Sequence, residues 1–195
     1  MPDEKAEPPA GAFLADVVRA IEAKAAPEGT STKIIAIDGP GGAGKSSLAE
    51  YLALELGDAQ ILRTDDFASW DHPLDWWPRL IKEALEPLSR NQSGRYRRTD
   101  WGNEDHEEWG EVVPDQFLIL EGVSASREAF RPFLTYSIWI EAPRKLRLSR
   151  GLERDGQDAR ARWEQWMAEE DDYVSRESPR EHADLVLPGD QNLWS

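Results

Sequence analysis

Five short apolar runs punctuate the chain, at 34–37, 60–62, 117–120, 136–140 and 185–187. Each is too short for a globular helix and mostly apolar at consecutive positions, Gln60 and Ser137 excepted, as suits a strand buried on both faces. Between them lie segments at helical spacing: 47–56, 73–90, 125–133, 143–154 and 159–176. Upstream, Phe13, Leu14, Val17, Val18 and Ile21 share one helical stripe that Pro27 and Gly29 bring to an end. Buried strands alternating with helices predict an α/β fold, a five-stranded parallel sheet with helices on both faces. Residues 1–11 are rich in Pro, Glu and Ala without periodicity and read as a flexible lead-in, leaving 12–195 as a single domain. The segment 100–115 carries seven acidic residues and no Lys or Arg, and reads as an exposed excursion.

Charge narrows the function. Among 195 residues, 38 are acidic and 23 basic, giving a net charge of −15. General binding to nucleic acid or to anionic membranes, which draws on basic surface, is therefore not expected. An anionic ligand must be held by a local exception to the global charge. Cysteine is absent, which removes disulfides, thiolate metal sites and thiol nucleophiles. No apolar run approaches the length of a membrane span, and Met1 to Lys5 begin no signal peptide, so the expectation is a soluble, cytoplasmic protein. Monomer and homodimer are equally compatible with the sequence.

The local exception begins at Gly39. Gly39-Pro-Gly-Gly-Ala-Gly44-Lys45-Ser46 fits G-x-x-x-x-G-K-[ST], and it follows an apolar run and opens a helical segment, the context this motif requires. Glycines let backbone N–H groups point at phosphate oxygens, and the helix N-terminus adds partial positive charge. Lys45 can reach the outer phosphates and the Ser46 hydroxyl can ligate Mg²⁺. Nucleotide contacts are expected at Gly39, Gly41, Gly42, Ala43, Gly44, Lys45, Ser46 and Ser47.

What lies at the ends of the other runs distinguishes the chemistry. Asp65 and Asp66 follow Leu62-Arg63-Thr64, where a strand should exit beside the nucleotide. An Asp there can accept a proton from an attacking hydroxyl and help fix Mg²⁺, although Asp also caps helices. Phe117-Leu118-Ile119-Leu120-Glu121-Gly122 is an apolar strand ending in an acid, resembling a Walker B element with Glu121 as metal ligand; the same pattern suits a solvated turn. Residues 144–154 hold five basic residues and one acid, with Arg147, Arg150 and Arg154 on one helical face. Such a face can neutralise a transferring phosphoryl group, or can simply be solvated and paired with acids.

Taken together these residues resemble the uridine–cytidine kinase family, near phosphoribulokinases and pantothenate kinases among P-loop kinases. The resemblance spans roughly 33–192. It rests on the phosphate loop, Asp65-Asp66-Phe67, Asp71-His72-Pro73, Leu120-Glu121-Gly122, Arg147-Leu-Ser-Arg150 with Arg154-Asp155, and Ala183-Asp184-Leu-Val-Leu-Pro-Gly. It implies a three-layer P-loop fold with a small lid, ATP or GTP as donor, and Mg²⁺. It also implies Asp65 as general base, Ser46 and Glu121 with Asp65 around the metal, and Asp71 on the acceptor's hydroxyls. Lys45, Arg150 and Arg154 would embrace the phosphates, with Asp66, Arg98, Asp100, Trp101 and Arg147 toward the acceptor.

Departures from the family fall on the acceptor side. Its Tyr-Asp-Phe motif stands here as Thr99-Asp100-Trp101, with Glu104 near the position of a family histidine, and the stretch from Asp66 to Asp71 and the lid after Asp155 are short. Phosphoryl transfer carries over; uridine specificity does not. Nine tryptophans are present. Trp70, Trp76, Trp77, Trp101 and Trp109 are candidates for an aromatic acceptor wall, while Trp139 on a buried run belongs to the core. Together with Asp71, Asp100, Glu104 and Asp105, such a wall suits a nucleoside, a sugar or an amino sugar. Two other readings stand beside a kinase for small hydroxyl compounds. One is a nucleoside-monophosphate kinase with Arg95, Arg97 and Arg98 on the acceptor phosphate. The other is a non-catalytic nucleotide-binding module.

Overall fold

The computed structural model describes residues 10–68, 74–99 and 108–191. In chain order the strands are β1 (Lys33–Asp38), β2 (Gln60–Arg63), β3 (Gly94–Arg98), β4 (Glu108–Val112), β5 (Phe117–Glu121), β6 (Tyr136–Glu141) and β7 (Leu185–Pro188). The helices are α1 (Ala10–Ala23), α2 (Lys45–Glu55), α3 (Trp77–Leu80), α4 (Glu86–Ser89), α5 (Arg144–Asp155), α6 (Arg160–Glu177) and α7 (Pro179–His182). All five apolar runs become strands of one parallel sheet, in the order β2-β5-β1-β6-β7.

Alternation along those runs divides the core in two. Ile35, Ile37, Ile119, Ile138 and Ile140 face one way and pack with Leu14, Val17 and Ile21 of α1 and Leu48 and Leu52 of α2. Ile34, Ala36, Leu118 and Leu120 face the other way, against Leu80, Leu85, Leu88 and Phe130. Helices cover both faces, so consecutive positions in the middle of the central strands β1 and β5 are apolar. Each fully buried Ile or Leu contributes roughly 1.5–3 kcal/mol relative to exposure.

Register then gathers the chemistry. Ile37 pairs with Glu121, and Arg63 pairs with Glu121 from the other side. The loop after β1, the turn after β2 and the acid ending β5 therefore meet at the C-terminal edge of the sheet, where α/β proteins bind ligands. Asp38 secures that edge from beneath. Its Oδ1 accepts the N–H groups of Gly39 at 2.7 Å and Ser124 at 2.9 Å, and its Oδ2 accepts the Ser126 hydroxyl at 2.7 Å and the Tyr173 hydroxyl at 2.6 Å.

Several expectations are corrected. Helix α1 begins at Ala10, inside the segment read as lead-in. The helix expected over 73–90 is interrupted by a π turn at Ile81–Leu85, where the Glu86 N–H bonds the Ile81 carbonyl five residues back. Pro87 has no N–H to continue an ordinary ladder, which accounts for the irregularity. The segment 125–133 holds a 3₁₀ turn, Glu128–Phe133, with Pro132 inside it. Within 100–115, the described residues 108–112 are not a free excursion: β4 pairs antiparallel with β3, and Gly110 and Val112 are buried. Among the described residues no helix is long and apolar enough to cross a membrane.

Candidate active site

A cavity of about 700 Å³ opens at this edge of the sheet. Gly41, Gly42, Gly44, Lys45, Ser46 and Ser47 line one side, Asp65 and Glu121 another, and Arg150, Arg154, Arg162, Trp163 and Trp166 a third. The loop takes its shape from Gly44, the N-cap of α2, which sits at φ 103°, a left-handed conformation that disfavours residues with a side chain. Gly39 and the buried Ala43 belong to the same loop but do not line the cavity.

Lys45 is buried and folds over the loop, its Nζ donating to the Pro40 carbonyl at 3.1 Å. The Ser46 hydroxyl donates to Glu121 Oε1 at 3.3 Å, and Arg63 Nη1 donates to Glu121 Oε2 at 3.2 Å. Burial pushes the Glu121 carboxyl above its ordinary range, with Lys45 as the main opposing charge. Asp65 stands in the 3₁₀ turn Thr64–Asp66, close enough for its charge to act on both Glu121 and Arg154. The structure thus brings Lys45, Ser46, Asp65, Glu121, Arg150 and Arg154 around one space.

Asp66 goes elsewhere. It accepts the Tyr96 hydroxyl at 3.1 Å and pairs with Arg98 Nε at 3.5 Å, while Arg98 Nη1 reaches Glu108 at 2.6 Å. These groups tie the β3–β4 hairpin to the turn after β2, and neither Asp66 nor Arg98 lines the cavity. Burial raises the Asp66 carboxyl, and the Tyr96 phenol, buried beside that acid, is pushed up to about 12. Asp71, Asp100 and Trp101 lie outside the described residues, as do Trp70, Glu104 and Asp105.

The arginine face is split by burial. Arg150 donates through Nη1 to the Gly42 carbonyl at 3.0 Å and the Gly189 carbonyl at 2.8 Å. Arg154 is bidentate to Asp155 at 2.8 and 2.9 Å, which holds the Asp155 carboxyl below its ordinary range. Arg147 is buried behind them, donating to Glu170 Oε2 at 3.1 Å, so the expected acceptor contact is not in its position. The spacing correctly puts all three on one face; what it cannot reveal is that α6 covers the first of them.

The aromatic wall also differs from expectation. Trp76 is buried in the core beside Phe67 and Phe130, Trp77 packs against it, and Trp109 is exposed on β4 with Arg95 stacked over its ring. Trp163 and Trp166 of α6 line the cavity instead. The Trp163 indole N–H donates to Asp155 Oδ2 at 2.9 Å, and Arg154 lies over its ring. Sequence reasoning misses this wall and Glu170. The available signal is the stripe Trp163, Met167, Glu170 and Tyr173, an acid at core spacing along a helix.

No family model matches the chain, and no curated protein is similar to it in sequence. Solved structures are similar in fold. A possible uridine kinase from Bacillus stearothermophilus superposes with a TM-score of 0.68 at 18% identity, over 91% of this chain and 98% of that one. A protein provisionally named a fructose transport system kinase, from Silicibacter sp. TM1040, gives 0.66 at 19% identity, over 89% and 98%. The chain therefore has the α/β fold of these kinase-named proteins, as its motifs and its strand pattern predict.

Proposed function

We propose that the protein is a phosphotransferase that moves the γ-phosphoryl group of ATP to a hydroxyl of a small molecule. The observation that carries this reading is the position of Asp65, across one cavity from Lys45, Ser46 and Glu121. A base beside a phosphate loop suits a reaction in which an external hydroxyl must lose its proton. The loop N–H groups and Lys45 bind the donor's phosphates, and Arg150 and Arg154 balance charge as it moves between oxygens. Asp65 holds the acceptor hydroxyl and takes its proton. Ser46 and Glu121 are hard oxygen donors 3.3 Å apart, which fits Mg²⁺ held largely by phosphates; among the described residues no group of three or more His, Asp or Glu side chains forms a protein-only metal cage. When bound, Mg²⁺ would neutralise phosphate charge.

A monophosphate acceptor is not favoured, since Arg95, Arg97 and Arg98 do not line the cavity. ADP release, measured with nucleosides, sugars, amino sugars and pantothenate under ATP and Mg²⁺, tests the reading. One acceptor class should accelerate release well above the water rate, with GTP run in parallel as donor. Nucleotide binding without acceleration by any acceptor would instead indicate a binding module.

A further inference from the structure

Glu170 is a buried charge for which the proposed chemistry has no use, and it touches the phosphate loop. Its Oε1 accepts the Gly41 N–H at 2.7 Å and the Trp166 indole N–H at 2.6 Å, while Oε2 accepts from Arg147 Nη1 at 3.1 Å. Arg147 is completed by its Nε–H donating to the Ala142 carbonyl at 3.1 Å. Burying a carboxylate is costly unless its charge and lone pairs are met, and here both oxygens are engaged. The partners come from the loop, from α5 and from α6 itself.

On α5, one turn beyond Arg147, Arg150 donates to the carbonyl of Gly42. Two consecutive loop residues are therefore held, Gly41 by its N–H and Gly42 by its carbonyl. The fit leaves little slack: a Cβ at Gly41 would lie 2.9 Å from Glu170 Oε1 and 3.1 Å from the Trp163 ring.

We propose that Glu170 is a positioning residue, which fixes the backbone of the phosphate loop through Gly41 and sets the arginine helix α5 in register with it through Arg147. The assignment rests on the phosphotransferase reading, in which loop and arginines converge on the same phosphates. The positive charges of Arg147 and Lys45 oppose the effect of burial, which pushes the Glu170 carboxyl above its ordinary range. A carboxylate that merely occupied the loop until nucleotide displaced it would act with the opposite sign on affinity.

Three variants of the full chain separate these roles. Glu170→Gln keeps an acceptor oxygen for Gly41 and Trp166. Glu170→Leu removes it, and Arg147→Leu with Glu170→Leu removes the orphaned cation as well, should the single variant fail to fold. Hydrogen exchange of the peptide holding residues 39–46 is measured without nucleotide, followed by ADP affinity and the kcat and KM for ATP. Losing a hydrogen bond to a charged group should speed loop exchange and weaken ADP by about tenfold or more in the Leu variants. Glu170→Gln, which keeps the acceptor for Gly41 but leaves Arg147 without its counter-charge, should fall between them and wild type. Exchange in β5 should stay unchanged, which a general loss of stability would not allow. Wild-type loop exchange in the folded double variant, or tighter ADP binding in either Leu variant, would overturn the proposal. If the wild-type chain binds no ADP, the phosphotransferase reading fails separately, and loop exchange still decides where Glu170 acts.

Discussion

Asp65 and Asp66 are neighbours in the turn after β2, yet only Asp65 lines the cavity, because Asp66 is engaged by Tyr96 and Arg98. Asp65→Asn, nearly isosteric, should lower kcat by about 10²–10⁴, the usual worth of a general base, with ATP affinity little changed. Asp66→Asn should leave kcat nearer wild type and act on thermal stability through the hairpin; steady-state kinetics and melting curves on both variants check the division. Glu121 carries a pH signature. Its folded carboxyl titrates above its unfolded value because of burial, so the folded chain binds more protons than the unfolded one as pH rises from the ordinary Glu range. Its contribution to stability therefore falls with rising pH across that window. Glu121→Gln should melt higher than wild type at neutral pH and show a flatter stability–pH slope, while losing activity. At this scale the shared placement of Asp65, Lys45, Ser46 and Glu121 along one cavity is legible in the sequence because each sits at a fixed offset from an apolar run. Arg147 is misjudged because its burial depends on Glu170, a residue on another helix whose approach no local spacing encodes.

Helices α5 and α6 meet at Gly151, where a Cβ would lie 2.3 Å from the Trp163 ring. Alanine is the better helix former, yet Gly151→Ala should displace Trp163 and with it the Asp155–Arg154 pair that the indole supports. The expected result is a lower melting temperature together with a fall in kcat larger than any rise in KM for ATP. A restored melting temperature in a second variant, Gly151→Ala with Trp163→Leu, would show that the clash is the cause, while kcat should stay low because the indole that supports Asp155 and Arg154 is gone. Other elements differ in how openly they announce themselves. The five sheet strands are legible because burial on both faces makes the interior positions of the central strands β1 and β5 consecutively apolar, and the others carry shorter runs of the same kind. The β3–β4 hairpin is not, since its burial is one-sided and the exposed positions are Arg95, Arg97, Glu108, Trp109 and Glu111. Charge masks a regular period of two, and only Tyr96 and Val112 mark the inner face.

At the scale of the whole molecule, a chain of net charge −15 lines one cavity with Lys45, Arg150, Arg154 and Arg162, a local reversal of sign that the proposed nucleotide would need. Ligand binding should then be visible as stabilisation. ATP with Mg²⁺ at about 100 times its Kd adds about 2.7 kcal/mol, which for a chain of this size raises Tm by roughly 5–10 °C. Chelation with EDTA should remove most of that shift and abolish turnover, and Mg²⁺ should restore both; an unchanged shift in chelator would remove the metal from the scheme. Lys45→Ala should lose the shift while melting near wild type without nucleotide.

The order of strands in the sheet also dictates when the phosphate loop can exist. Strand β1 has no partner near it in sequence: Lys33 pairs with Phe117, and Ile35 with Tyr136. A nascent chain therefore exposes the loop long before either neighbouring strand has been made. The last supports arrive later still, since Gly189 donates to the Glu141 carbonyl at 2.7 Å and accepts from Arg150. Pairings between such distant segments make for slow folding. On the phosphotransferase reading, recovery of nucleotide binding after dilution from denaturant should therefore lag the first burial of the core and time the closing of the sheet, which stopped-flow fluorescence of a bound nucleotide analogue set against tryptophan fluorescence would check.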